Sequence, residues 1–233
     1  MRACNAVSLL LLSFLSMAPY AHAETGEQGW LRYAALPPQA AQQYKKMPQH
    51  VVAGGQSAVN HSAASELARG LHSMLGENVT VESALPKGDS FILGTPTEIR
   101  RLLPTWKLSS PPAPEGFSLT QFAAQGHSYW VLAGGTDRGE LYGVFRILEL
   151  VAQQKQGGPT SEAPSSPIRW VNQWDNFDGS IERGYAGRSI FFEGGHVRAD
   201  LTRVSEYGRL LASVGINGVT VNNVNADLHT LEP

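Results

Sequence analysis

The chain has 233 residues, 18 basic against 20 acidic, for a formal net charge of −2 with only 16% of positions charged. That near-neutral balance leaves no basic footprint for nucleic acid or an anionic membrane surface. A single cysteine excludes an internal disulfide, so stability has to come from a packed core.

The first 23 residues read as a secretory signal rather than as structure. Arg2 supplies a positive start, Val7 to Leu15 a short apolar run, and Ala21-His22-Ala23 a small-residue cleavage site. The run falls short of the roughly 20 residues that span a bilayer, so export to a periplasm or the outside is expected, with no membrane span after removal. Cleavage would take away Cys4, leaving no thiol nucleophile. It would also remove Arg2, the only charged residue of the segment, shifting the formal charge from −2 to −3. Roughly 210 remaining residues suit one large domain or two small ones.

Residues 50 to 153 have the pattern of an α/β unit. His50 to Ala53 is a strand candidate. Ser62 is expected to cap a helix whose apolar face is Ala64, Leu67, Ala68, Leu71 and Leu75. Asn78 to Glu82 and Ser90 to Leu93 read as strands. Thr95-Pro96-Thr97-Glu98 combines a cap, a proline at the first helical position and a glutamate placed for a capping box, so a short helix should run from here and stop before Pro104. Phe117 to Ala123 and Ser128 to Ala133 should pair through a turn at Gln125-Gly126-His127. Leu141, Val144, Phe145, Leu148 and Val151 then recur at helical spacing. The glycines before that helix are not a phosphate loop, because no Gly-Lys-Ser/Thr follows; they predict a tight strand-to-helix turn.

Gln154 to Pro167 lacks a hydrophobic pattern, contains three prolines and reads as a linker or mobile surface loop. Ile168 to Trp174 is the next strand candidate. Asp200 is placed to cap a helix carrying Leu201, Val204, Tyr207, Leu210, Leu211 and Val214, closed by Gly215, and Gly218 to Val221 begins another strand. Strand, long loop, helix, glycine turn and strand make a βαβ unit of a parallel sheet. Ligands of such folds sit at the carboxyl ends of the strands, where the polar clusters Asn172 to Asp178 and Asn222 to Asp227 both fall.

The stretch VNQWDNFDGSIERGYAGRSIFF, 171 to 192, carries the most chemistry. An aromatic face such as Trp174 stacks on the C–H face of a sugar while nearby amides and carboxylates bind hydroxyls; a tryptophan packed under its own loop has the same pattern. Asp175 suits either ligand contact or hydrogen bonds to its own turn, and Asp178-Gly179 reads as a turn. Glu182, Arg183 and Arg188 suit an ion-pair network, and an arginine also grips a carboxylate through two hydrogen bonds. Asn222, Asn223 and Asn225 surround Val224 with amides that donate and accept, suited to hydroxyls or to capping a turn. The seven histidines show no ligand-like grouping, so no metal site is predicted.

GWLRY (29 to 33), GGTDRGELYGVFRILE, NQWDNFDGSIERGYAGRSIF and YGRLLASVGINGVTVNNVNA together resemble the family-67 glycoside hydrolases, the xylan α-1,2-glucuronidases. The resemblance implies an α/β fold: a β-hexosaminidase-like α/β domain over 24–153, a linker over 154–167, and the first βα units of a truncated (β/α)8 barrel over 168–233. It implies inverting removal of 4-O-methyl-glucuronic acid from xylooligosaccharides, with no cofactor, and leaves a homodimer of the full-length protein open. By the same resemblance Trp174 lines the glucuronate subsite, Val224 forms its apolar wall near the 4-O-methyl group, and Asp175, Asn223 and Asn225 support the rim. An inverting hydrolase needs an acid and a base roughly 6.5–9.5 Å apart. In this family they come from later barrel strands, so both are expected beyond Pro233 and the chain alone is expected to be inactive and prone to aggregate. A non-catalytic carbohydrate-binding protein, or a different barrel glycosidase sharing the first domain, are the rival readings.

Overall fold

A computed structural model describes residues 26–222, so the predicted signal and Asn223, Val224 and Asn225 lie outside the described residues. The chain divides into two compact units, 1–32 and 33–233. In the first, a short helix, α1 (Gly26–Leu31), is described. In the second, a four-residue helix, α2 (Pro38–Ala41), precedes a six-stranded sheet of order β2-β1-β3-β5-β4-β6. Its strands are β1 (His50–Ala53), β2 (Thr80–Glu82), β3 (Ser90–Gly94), β4 (Phe117–Ala124), β5 (His127–Gly134) and β6 (Thr160–Glu162). β2, β1, β3 and β5 run parallel, and β4 lies antiparallel to both β5 and β6.

Alternation along the strands splits the core into two layers. Val51, Phe91, Leu93 and Leu132 meet Leu67, Leu71 and Met74 of α3 (Ala58–Leu75) and Val144 and Leu148 of α5 (Asp137–Ala152). On the opposite face Val52, Ile92, Tyr129 and Val131 meet Ile99 of α4 (Pro96–Leu102), with Leu103 and Trp106 beyond it. Every residue of β3 is buried, as a parallel strand covered on both faces requires.

The local signals of α4 behave as expected, and the expected hairpin forms with a tighter turn, since His127 is already in β5 opposite Ala124. Thr95 and Glu98 exchange both bonds of a capping box, with Pro96 opening the helix. Gln125 and Gly126 both have positive φ, +54° and +81°, as a two-residue turn between Ala124 and His127 demands. The cap of α3 differs from expectation. Ser57, not Ser62, accepts the Asn60 N–H, at 3.0 Å, and the helix starts earlier; Ser62 lies inside it and donates to Ala58 O at 2.7 Å. The predicted linker differs too: Thr160–Glu162 forms β6 on the edge of β4. Three mostly exposed polar residues show no alternation, and the open hydrogen-bonding edge of β4 recruits them.

Beyond β6 the predicted βαβ unit is present. β7 (Trp170–Asp175) and β10 (Gly218–Asn222) pair in parallel on either side of α6 (Thr202–Ser213) in sequence. Asp200 Oδ1 accepts the Thr202 N–H at 2.9 Å and Gly215, at φ +76°, ends the helix. No side chain of α6 is fully buried. The fold is thus a mixed α/β architecture with parallel sheet in both parts.

Two polar clamps hold this unit against the larger sheet. Glu66 of α3, 4% exposed, accepts from Nε and Nη2 of the Arg209 guanidinium on α6 and also bonds Tyr33 and Arg69. Arg169 bonds Glu115 at 2.7 Å and Gly215 O at 2.6 Å and lies over the Tyr142 ring, while Asn217 reaches the same carboxylate at 2.9 Å. Burial pushes Glu115 up, but Arg169, Asn217 and Arg138 outweigh it and hold the carboxyl below its ordinary range. Among the described residues, no helix is long and apolar enough to cross a membrane.

Candidate functional site

The carboxyl end of β7 is irregular, and Trp174 lies at the irregularity. Asn172 pairs with Thr220 and Asp175 with Asn222, so three steps on β7 oppose two on β10, a bulge at Gln173–Trp174. Bulges at strand ends re-aim a side chain and are common beside active sites. Trp174 is half-buried, neither sealed in the core nor fully in solvent. Asp175 is 4% exposed, and its Oδ1 has no hydrogen-bond partner among the described residues. Tyr207 of α6 comes up to this spot; burial raises its pKa, against a hydrogen bond to Gln173, with the Asp175 charge adding to the rise.

The loop after Trp174 is built from two hairpins. Glu182 N donates to Trp174 O at 2.9 Å, Asn176 N to Ser180 O at 2.8 Å and Gly179 N to Asn176 O at 3.0 Å. Asp178 Oδ1 accepts from the N–H and the hydroxyl of Ser180, at 2.8 and 2.7 Å, which hold its carboxyl below the usual range, with Arg188 assisting. Asp178-Gly179 is therefore a turn, and Gly179 adopts φ +94° to make it. The second hairpin joins β8 (Phe192–Glu193) to β9 (His196–Val197) through Gly194-Gly195, both at positive φ. Gly194 N and Gly195 N donate to Asp178 O and Phe177 O, fastening one hairpin to the other. Phe177 packs edge-on against Phe192 at 5.5 Å, and Phe191 meets Tyr207 at 6.5 Å, so the loop has an aromatic underside on α6.

Of the residues singled out from the sequence, Trp174 and Asp175 are adjacent at this bulge, and Asn222 stands opposite Asp175 in the strand register. Arg188 acts on Asp178, and Glu182 is fixed through its backbone. Gln173 falls within the polar cluster that the sequence puts at this end but has no role of its own there, and Tyr207 reads from the sequence only as part of an apolar helix face. The one available cue was a phenol on that face, since a buried Tyr hydroxyl needs a polar partner. Two clefts, about 740 and 350 Å³, open elsewhere, at the Glu66–Arg209 clamp and at the Glu115–Arg169 clamp; neither is lined by Trp174 or Asp175.

Comparison with known proteins decides the family. The model of the glycosyl hydrolase family 67 N-terminus matches residues 29–147, and that of the family 67 middle domain matches residues 150–233. The chain belongs to glycoside hydrolase family 67. It is 42% identical over 227 residues to a probable alpha-glucuronidase A of Neosartorya fischeri, covering 96% of this chain and 26% of that protein. It is 38% identical over 238 residues to an alpha-glucuronidase of Hypocrea jecorina, covering 96% of this chain and 28% of the relative. The chain thus spans about a quarter of the length of the curated relatives it matches. Among solved structures, a family GH115 4-O-methyl-alpha-glucuronidase specific for decorated arabinogalactans aligns with a TM-score of 0.51 at 18% identity. That alignment covers 74% of this chain and 25% of the other, a likeness of fold.

Proposed function

We propose that this chain forms part of an exported α-glucuronidase that removes 4-O-methyl-glucuronic acid from xylan-derived oligosaccharides with inversion. In this reading 24–153 is a β-hexosaminidase-like domain, 154–167 a connection, and 168–233 the opening of a (β/α)8 barrel. The observation that carries the reading is the position of Trp174. In a chain of family 67, a half-buried indole on a bulge at the carboxyl end of a parallel strand supports this reading, because barrel enzymes hold their substrates at that end of their strands.

The indole face stacks on the C–H face of the uronic acid. Asn223 and Asn225 bind its hydroxyls, and Val224 gives an apolar wall to the 4-O-methyl group. Asp175, nearly sealed, holds the rim from below rather than meeting the sugar. Inverting hydrolysis needs a general acid at the leaving oxygen and a general base for water on the opposite face. Asp178 is committed to its turn and Asp175 to the interior, so neither takes those roles. The acid and base are assigned to residues outside this chain.

The test compares the purified 233-residue chain with a chimera joining it to the remaining three-quarters of the Hypocrea jecorina relative, both given aldouronic oligosaccharides. Glucuronic acid should appear only with the chimera. Release by the chain alone would contradict the assignment of acid and base, and saturable binding without turnover in either protein would favour a carbohydrate-binding role.

A further inference from the structure

The carboxyl edge of the large sheet gathers three acids that the proposed glycosidase site does not use. Glu98 of α4 and Asp137 and Glu140 of α5 each bring one carboxylate oxygen within 4.8 Å of the other two. Glu98 Oε2 is committed to its cap, accepting the Thr95 N–H and hydroxyl, both at 2.8 Å. Asn60, in the first turn of α3, donates to Glu140 Oε2 at 2.5 Å and accepts the Gly55 N–H at 3.1 Å. The Glu140 side chain is wholly buried, yet its Oε1 has no hydrogen-bond partner among the described residues.

Glycines at the ends of the parallel strands leave the room. A Cβ on Gly55 would lie 2.7 Å from Glu98 Oε1, one on Gly134 2.7 Å from Glu140 Cγ, and one on Gly94 3.2 Å from Glu98 Cβ. The place itself is suggestive. The helix after β1 covers one face of the sheet and the helix after β3 the other, so the crossovers diverge at this edge, which is where open α/β sheets take ligands.

A buried carboxylate oxygen without a donor is costly. The side chains acting on Glu140 are Asn60, Asp137 and Glu98, and none of these brings a positive charge. Helix N-termini make the acids tolerable here, but they leave Oε1 without a partner among the described residues. Either a proton or a cation completes the cluster.

We propose that Glu98, Asp137 and Glu140 bind a hard divalent cation of the calcium type. The ligand set is all oxygen and carries three carboxylates, which favours Ca²⁺ over Mg²⁺, an ion that usually takes one or two and keeps its water. Ca²⁺ holds oxygens at about 2.3–2.6 Å, so ligands across the ion lie up to roughly 5 Å apart, compatible with the observed spacing. Water fills the remaining positions. The ion joins the first turns of α4 and α5, and Asn60 extends the link to α3.

The test uses the 233-residue chain stripped with chelator, titrated with Ca²⁺ by calorimetry and with Tb³⁺ by luminescence. One equivalent should bind, and the melting temperature should rise by several degrees. Glu140→Gln keeps an acceptor for Asn60, and Asp137→Asn alters a partly exposed residue, so at least one variant should fold as shown by circular dichroism. Each folded variant should bind Ca²⁺ at least tenfold more weakly. No binding at millimolar free Ca²⁺, stronger binding of Mg²⁺, or affinity unchanged in the folded variants would overturn the proposal and leave the cluster to a proton.

Discussion

Arg209 grips Glu66 across 143 residues of sequence, Nε to Oε2 at 2.9 Å and Nη2 to Oε1 at 2.8 Å. The pair fixes α6, and with it the βαβ unit, against α3. Both side chains are largely buried, 17% and 5% exposed, so removing Arg209 leaves the buried Glu66 carboxylate with only Arg69 and Tyr33 to offset its desolvation. Arg209→Ala should lower stability by about 3 kcal/mol in urea unfolding. Arg209→Lys should recover only part of it, since an ammonium cannot reproduce the two-point contact. A loss under about 0.5 kcal/mol, the scale of an exposed pair, would show the clamp to be dispensable.

The turn between β5 and α5 depends on the absence of a side chain at Gly135. A Cβ there would fall 1.9 Å from Ala113 O, against backbone that cannot swing aside, while Gly135 N donates to Gly116 O at 2.9 Å. Gly135→Ala should therefore destabilise by about 2 kcal/mol or more, on the scale of an overpacked site. Thermal melting is the check. A neutral substitution would remove the reason given for this glycine and reopen a ligand-binding role for the loop.

Glu140 makes stability depend on pH in metal-free solution. Burial, with help from Asp137 and Glu98 and against the Asn60 hydrogen bond, raises its pKa from 4.5 to about 7. Between those values the native state binds more protons than the unfolded one. The contribution is thus fully present below pH 4.5 and is lost as pH rises through about 7, a fall of up to about 3 kcal/mol at 1.4 kcal/mol per unit. Denaturant titrations at stepped pH should show that decline in the parent chain and a flatter profile in Glu140→Gln. Parallel profiles would mean that Glu140 is not the titrating group.

Much of this architecture was legible from local patterns. The Thr95–Glu98 capping box, the stripe from Leu141 to Val151 and the order of the βαβ unit are set within a few residues of chain and formed as expected, and the hairpin turn formed one residue shorter than Gln125-Gly126-His127. What escaped depends on distant partners. β6 exists because β4 offers an edge; the bulge at Trp174 is a difference in residue count between strands separated by α6. Ser62 is the cap expected from the apolar stripe, but the helix begins about a turn earlier, where Ser57 takes that place. Glu98 reads as a capping residue and Asp137 and Glu140 as ordinary first-turn acids; only the fold brings them together. At the site, Trp174 was legible as an aromatic at a strand end, whereas the aromatic bed of Phe177, Phe191, Phe192 and Tyr207 emerges from two hairpins folding onto α6.

In the proposed site the indole of Trp174 bears on the uronic acid. The most direct measurement of that contact is kcat/KM for aldouronic oligosaccharides in the chimera with the Hypocrea jecorina relative, comparing Trp174→Ala and Trp174→Phe with the parent. Loss of a stacking surface used throughout the reaction should lower kcat/KM by at least about 10-fold, one decade per 1.4 kcal/mol, with phenylalanine restoring part of it. Parent-like kcat/KM in a folded Trp174→Ala chimera would show that the indole does not bear on the sugar.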